Sequence, residues 1–182
     1  MSDGPSFWLL LLLLVLGLWM LGAYNRVTAL RAAILTAWGQ VDAALAARGR
    51  ALAELLALAD EPLSAERTAL EMVGNALTQL AAAIDAARRR PAHHEPVAAL
   101  AKADAVLVAF SVRLLALVEH DSALRGHAAA QTTLAALRES QPQLAFARQT
   151  FNAAGQRYNE ALQQFPTRLL VPVFRLEPAG QL

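Results

Sequence analysis

Apolar residues recur at alternating spacings of three and four along most of the chain, the mark of helices packed lengthwise on one another. The clearest run is Leu144, Arg148, Phe151, Gly155, Tyr158, Leu162 and Phe165. A second seam, Trp38, Val41, Leu45, Arg48, Leu52, Leu55 and Ala59, predicts a long first helix over residues 27–59, stopped by Asp60-Glu61-Pro62. Ser64 is placed to cap the next helix, with Glu66 in its first turn. That helix carries Leu70, Val73, Leu77, Leu80, Ile84 and Ala87 and ends at Arg88-Arg89-Arg90, where cations complement the helix dipole. After a turn over residues 91–96, a third helix starts near Pro96 and shows the stripe Leu100, Ala103, Leu107, Phe110, Leu114 and Leu117. It breaks around residues 119–122. A fourth helix is expected over residues 124–165, entering the first seam through Leu134, Leu137, Gln141 and Leu144. Pro142 lies inside it and predicts a kink or local break, and Pro166 ends it. Residues 169–174, Leu-Leu-Val-Pro-Val-Phe, read as a short apolar segment held extended by nearby prolines and packed along the helices.

One block departs from this amphipathic pattern. From Phe7 to Ala23 no residue is charged, and a helix of that length covers about 25 Å, the lower limit for crossing a bilayer core. Trp8, Trp19 and Tyr24 suit its interfacial belts. A cleaved signal peptide fits less well, because the preceding residues hold Asp3 and no Lys or Arg, and Leu21 is not small enough for a cut after Ala23. The predicted fold is therefore all-α: a single N-terminal transmembrane helix followed by an antiparallel four-helix bundle with long first and last helices. Its parts are a short polar N-terminus (1–6), the transmembrane anchor (7–23), the helical bundle (24–166) and an extended C-terminal tail (167–182). No proline separates Gly22 from Val27, so the anchor can run straight into the bundle. The basic residues Arg26, Arg31, Arg48 and Arg50 all follow the anchor, so the expected topology is single-pass in the cell membrane, with the N-terminus outside and the bundle cytoplasmic.

Composition sharpens this picture by exclusion. The 182 residues are 56% hydrophobic and only 17% charged, and Ala and Leu dominate, which favours helix over sheet. A net charge of +1 supplies no field to recruit nucleic acid, and none is expected as a partner. Arg88-Arg89-Arg90 lacks interleaved aromatics and reads as a helix end. The absence of Cys removes disulfides, thiolate catalysis and Cys-based metal sites.

The remaining candidates for chemistry are sparse. Arg48 and Arg148 sit on seam positions, where a guanidinium needs a partner or a path to water. Asp42, Asp104 and Glu119 are available, and an internal ion pair fixing helix register is the favoured reading over an anionic ligand. Asn152 and Asn159 lie two turns apart on one helix face, so each is expected to make a specific inter-helix hydrogen bond to backbone or turn groups. His93-His94-Glu95 has metal-ligand composition but no further ligand at a known spacing. There is no His-Glu-x-x-His, phosphate loop or nucleophile elbow, and no helix carries Glu-x-x-His. Neither catalytic, cofactor-binding nor metal residues are expected, and the protein is not read as an enzyme.

Ala147-Arg148, Phe151-Asn152, Tyr158-Asn159 and Phe165-Pro166 resemble the C-terminal signature of LemA-family proteins. Tyr24-Asn25-Arg26-Val27 after an apolar segment, then Ala37-Trp38, Val41-Asp42, Leu45 and Arg48, are similar to the family's N-terminal half. Departures occur at Gly49, where a second Arg usually stands, at Glu54, where Pro is usual, and at Ser140-Gln141-Pro142. The resemblance implies a bacterial membrane protein with one N-terminal helix and a long antiparallel bundle, without a defined reaction. The expected function is a membrane-anchored interaction or scaffold protein, held in the bilayer by residues 7–23 and meeting an unidentified protein partner or a second copy of itself. The alternative is a membrane-tethered sensory or ligand-binding bundle.

Overall fold

A computed structural model describes the backbone of residues 4–182 and side chains from Phe7 onward. The first three residues of the expected polar N-terminus lie outside it. The described residues form six α-helices: α1 (Gly4–Ala59), α2 (Arg67–Arg89), α3 (His94–His120), α4 (Ser122–Gly126), α5 (Ala128–Gln163) and α6 (Thr167–Phe174).

The expected anchor and the first seam are one helix. α1 is 56 residues long, or about 84 Å. Its side chains are exposed from Phe7 to Gly22, and Ala23 is the first buried position, where the apolar block gives way to the seam. α1 is long and apolar enough at its N-terminal end to cross a membrane. Beyond Val27 the predicted seam is buried throughout, with Val41, Leu45 and Leu55 at most 1% exposed. Asp60-Glu61-Pro62 ends α1 as expected. Gly49, where the family usually has a second Arg, has no neighbouring atom within 4 Å of an added Cβ, so the departure leaves open space rather than a packing conflict.

The helices pack as antiparallel pairs. α5 lies along α1, with Arg26 donating to Gln164 (2.8 Å) near one end and Trp38 meeting Phe151 edge-on (5.9 Å, 67°) further along. α2 lies along α3, and Arg113 of α3 donates to Glu66 just before α2 (2.9 Å). Arg88 ties α2 to α1 by donating to both carboxylate oxygens of Asp42 (3.2 and 2.8 Å) and to Asp85 (2.9 Å). The hydrogen bonds and negative charge of Asp42 raise the Arg88 pKa above its ordinary value. The basic end of α2 thus also sets the register of α2 on α1.

Four local expectations are corrected. Ser64 does not cap α2: Ser64–Glu66 is a 3-10 turn, and α2 starts without a side-chain cap. The break after α3 falls at Asp121, inside the expected 119–122, but the fourth helix does not start near residue 124: the Asp121 carboxylate accepts from the Leu124 N–H (2.9 Å) and caps a separate one-turn α4, and α5 begins at Ala128. Pro142 does not interrupt α5. It lies on the exposed side, where water can satisfy the carbonyl that loses its N–H partner. Residues 167–174 are not extended: they form α6 despite Pro172, because Thr167 and Leu170 are buried against the body and that packing overrides local preference. Within the expected tail of residues 167–182, the non-helical part is residues 175–182.

Candidate functional site

Two features stand out from the apolar packing. The first is a charged junction of three helices. Arg48 of α1 and Arg148 of α5 each donate to a different carboxylate oxygen of Asp104 on α3. The sequence left three acids open as partners, and the structure brings both arginines to the same one. Asp42 goes to Arg88, and Glu119 to Arg138 (2.9 Å). Arg48 and Asp104 are only 9% and 6% exposed, and the Arg148 side chain is about one third exposed. The Nε atoms of Arg48 and Arg148 are buried without a protein hydrogen-bond partner. Two guanidinium groups on one carboxylate leave one positive charge at the junction. Beside it lies a cavity of about 310 Å³, lined by both arginines with Leu52, Leu107, Leu137 and Leu144.

The second feature is a clamp on the C-terminal segment. The side chain of Asn159 donates to the Ala179 carbonyl (3.1 Å) and accepts from the Ala179 N–H (2.7 Å). Asn152 treats Leu182 the same way (2.7 and 2.8 Å). Each amide acts as one residue of a strand partner, satisfying both backbone groups of the residue it faces. The two registers agree: from residue 152 to 159 a helix rises about 10.5 Å, and three extended residues cover about 10 Å. The segment therefore runs antiparallel to α5.

Small residues make room for this approach. Gly155 lies between the two asparagines, and a Cβ there would sit 3.4 Å from the Gly180 carbonyl oxygen. A Cβ on Gly180 would come within 2.7 Å of Val97 Cβ and 3.1 Å of His94 Cα. Gly180 is thus wedged between α5 and the start of α3, and only glycine fits. His93 Nδ1 stands 3.0 Å from Glu177 at the same place. The His93-His94-Glu95 turn receives the tail, and among the described residues no group of three or more His, Asp or Glu side chains is arranged to share a metal.

The other predicted positions divide between core and surface. Trp38, Phe151 and Tyr158 are buried, and burial raises the Tyr158 pKa, while the positive charge of Arg31 opposes the shift. Phe165, the last member of the predicted seam, lies beyond the end of α5, is 68% exposed and packs on Trp19 (4.6 Å between rings). Pro166 precedes α6. Tyr24 packs on Phe174 (5.4 Å), and Asn25 is exposed. The asparagines bond to backbone, as expected of them, but to the C-terminal segment instead of another helix. The docking of residues 177–182 was missed, although Pro178-Ala179-Gly180 offered small residues opposite two asparagines seven apart.

No curated protein and no solved structure matches the chain. A family model described as the LemA family matches residues 37–182. The matched span begins at Ala37-Trp38 and contains the three junction residues, both asparagines and the docked segment; the uncharged run and Tyr24-Asn25 precede it. On that match, whose span holds both the first seam and the aromatic-Asn signature, the chain belongs to the LemA family.

Proposed function

We propose that this protein is a membrane-anchored, non-enzymatic scaffold: an antiparallel four-helix bundle of α1, α2, α3 and α5 held at the bilayer by residues 7–23. The unbroken course of α1 from Gly4 to Ala59 is the observation that carries this reading. A continuous helix transmits the anchor's position and orientation to the body, so the lateral faces stand at fixed heights above the lipid. Large apolar side chains remain on those faces, among them Phe146, which is 65% exposed in a groove between α1 and α5. The bundle lies on the cytoplasmic side, on the strength of Arg26, Arg31, Arg48 and Arg50.

In spheroplasts, external protease leaves a C-terminal tag intact, and a photocrosslinking residue at position 146 captures one reproducible protein, either a partner or a second copy. Loss of the tag overturns the topology, and capture of lipid or nothing overturns the scaffold.

The junction favours a second reading, a bundle that binds a small ligand. The uncompensated positive charge beside a mostly apolar cavity of about 310 Å³ suits a small carboxylate with an apolar body. On this reading, medium-chain carboxylates raise the unfolding temperature while the matching alcohols do not, and Arg148→Met abolishes the rise. Equal shifts from acid and alcohol exclude it.

A further inference from the structure

The outer face of α6 is the feature that the scaffold and the junction leave unexplained. Its inner face is settled: Thr167 and Leu170 are buried, and Val171 is half-buried against the body. Its outer face is no less apolar. Phe165 and Leu169, with Val173 and Phe174 beyond them, are 68%, 59%, 69% and 49% exposed. Residues 164–176 contain no acid, and Arg168 and Arg175 are their charges. A short helix apolar on both sides, with one side turned away from the protein, is not built for water.

The position of α6 says what covers it. Phe165 packs against Trp19 at 4.6 Å between ring centres, and Phe174 against Tyr24 at 5.4 Å. Trp19 lies inside the uncharged run and Tyr24 just past its end. In a helix the two are about 7.5 Å apart along the axis. α1 therefore acts as a ruler: if its apolar run is in the bilayer, the boundary layer that holds Trp19 and Tyr24 also holds the two ends of the α6 segment. No water layer fits between rings in contact. Trp and Tyr favour that layer, and arginine stems can lie along apolar surface while their charge reaches the headgroups.

We propose that α6 is an interfacial helix whose Leu169, Val173 and Phe174 lie in the membrane together with the preceding Phe165, with Arg168 and Arg175 at the headgroups of anionic lipids. This rests on the reading of residues 7–23 as the anchor. It gives the body a second contact with the bilayer. One anchor leaves the body free to rotate about the anchor axis; a second point off that axis fixes which lateral face turns toward the membrane. Lipid then joins the body at both ends of the chain, since α6 connects α5 to the segment clamped by Asn152 and Asn159.

The lack of cysteine allows a direct test. The full chain, carrying a single nitroxide at Val173→Cys, Leu14→Cys or Gln143→Cys, is placed in phosphatidylcholine–phosphatidylglycerol vesicles. Collision with oxygen, which concentrates in lipid, is compared with collision with a water-soluble nickel complex. Residues 14 and 173 are expected to favour oxygen, and residue 143, exposed on α5, to favour nickel. Lipid exposure at 14 with nickel access at 173 overturns the α6 proposal and leaves the anchor standing. Nickel access at 14 overturns both. Shielding of 173 from both agents, with spin–spin broadening, assigns the face to a second copy and overturns the lipid assignment.

Discussion

Replacing Asp104 with alanine lowers the stability of the folded chain by about 3 kcal/mol, or about 6–12 °C in unfolding temperature for a domain of this size. The substitution removes the shared acceptor of two charge-assisted hydrogen bonds and leaves the 9% exposed Arg48 with an uncompensated charge. The value stands at the low end of the range for broken buried pairs because Arg148 is about one third exposed and water screens its share. The same geometry orders the variants. Asp104→Ala costs most, Arg48→Met less, because one arginine still satisfies the carboxylate, and Arg148→Met least. The combined Asp104→Leu, Arg48→Met, Arg148→Met variant recovers most of the loss, since apolar residues of similar size can replace a buried ionic group without leaving a charge behind. Thermal unfolding of the full chain in detergent micelles measures the series. A loss below about 1 kcal/mol for Asp104→Ala marks the junction as solvent-screened.

The junction also shows what the sequence could convey. Seam periodicity placed Arg48 and Arg148 on buried faces, because a helix repeats its faces every seven residues and a charged side chain in that register is conspicuous. It did not select Asp104 over Asp42 and Glu119. That choice depends on which helices become neighbours, and Ala-Leu-rich seams resemble one another too closely to encode it. Long elements were legible for the same reason: α1, α2 and α3 carry many repeats each and stop at proline, a basic cluster or a polar turn.

Elements decided by a few tertiary contacts were not legible. α6 has two nearby prolines and β-branched residues, so its local signal is extended, and the burial of Thr167 and Leu170 reverses it. Pro142 failed as a break because its effect depends on which side of α5 faces water, not on its presence. Ser64 failed as a cap because the chain needs a 3-10 turn to reverse from α1 into α2. The family match covers the chain from Ala37 onward and says nothing of the expected anchor, for which the uncharged run remains the argument.

Substituting both Asn152 and Asn159 with leucine releases the C-terminal segment and lowers stability by about 3 kcal/mol. Four hydrogen bonds are lost, each worth about 1 kcal/mol net, and part of that is offset because a freed extended segment regains hydration and chain entropy. Asparagine is needed for its two-sided chemistry: aspartate at either position accepts from the N–H but sets a negative oxygen against a carbonyl, so Asn159→Asp destabilises despite equal size. Gly180→Val acts from the opposite side. A Cβ 2.7 Å from Val97 Cβ cannot be accommodated, and both asparagines stay intact, so this variant separates loss of docking from damage to α5. Hydrogen exchange reads the outcome directly. In the native chain the Ala179 and Leu182 amides are protected, and in the double leucine variant and Gly180→Val they exchange as free peptide, while the amides of α5 around Phe151 stay protected. Exchange that is fast at Ala179 in the native chain shows that the clamp does not hold in solution. Loss of protection across α5 as well makes the segment part of the body's cooperative unit, a strap without which the α1–α5 pair does not close.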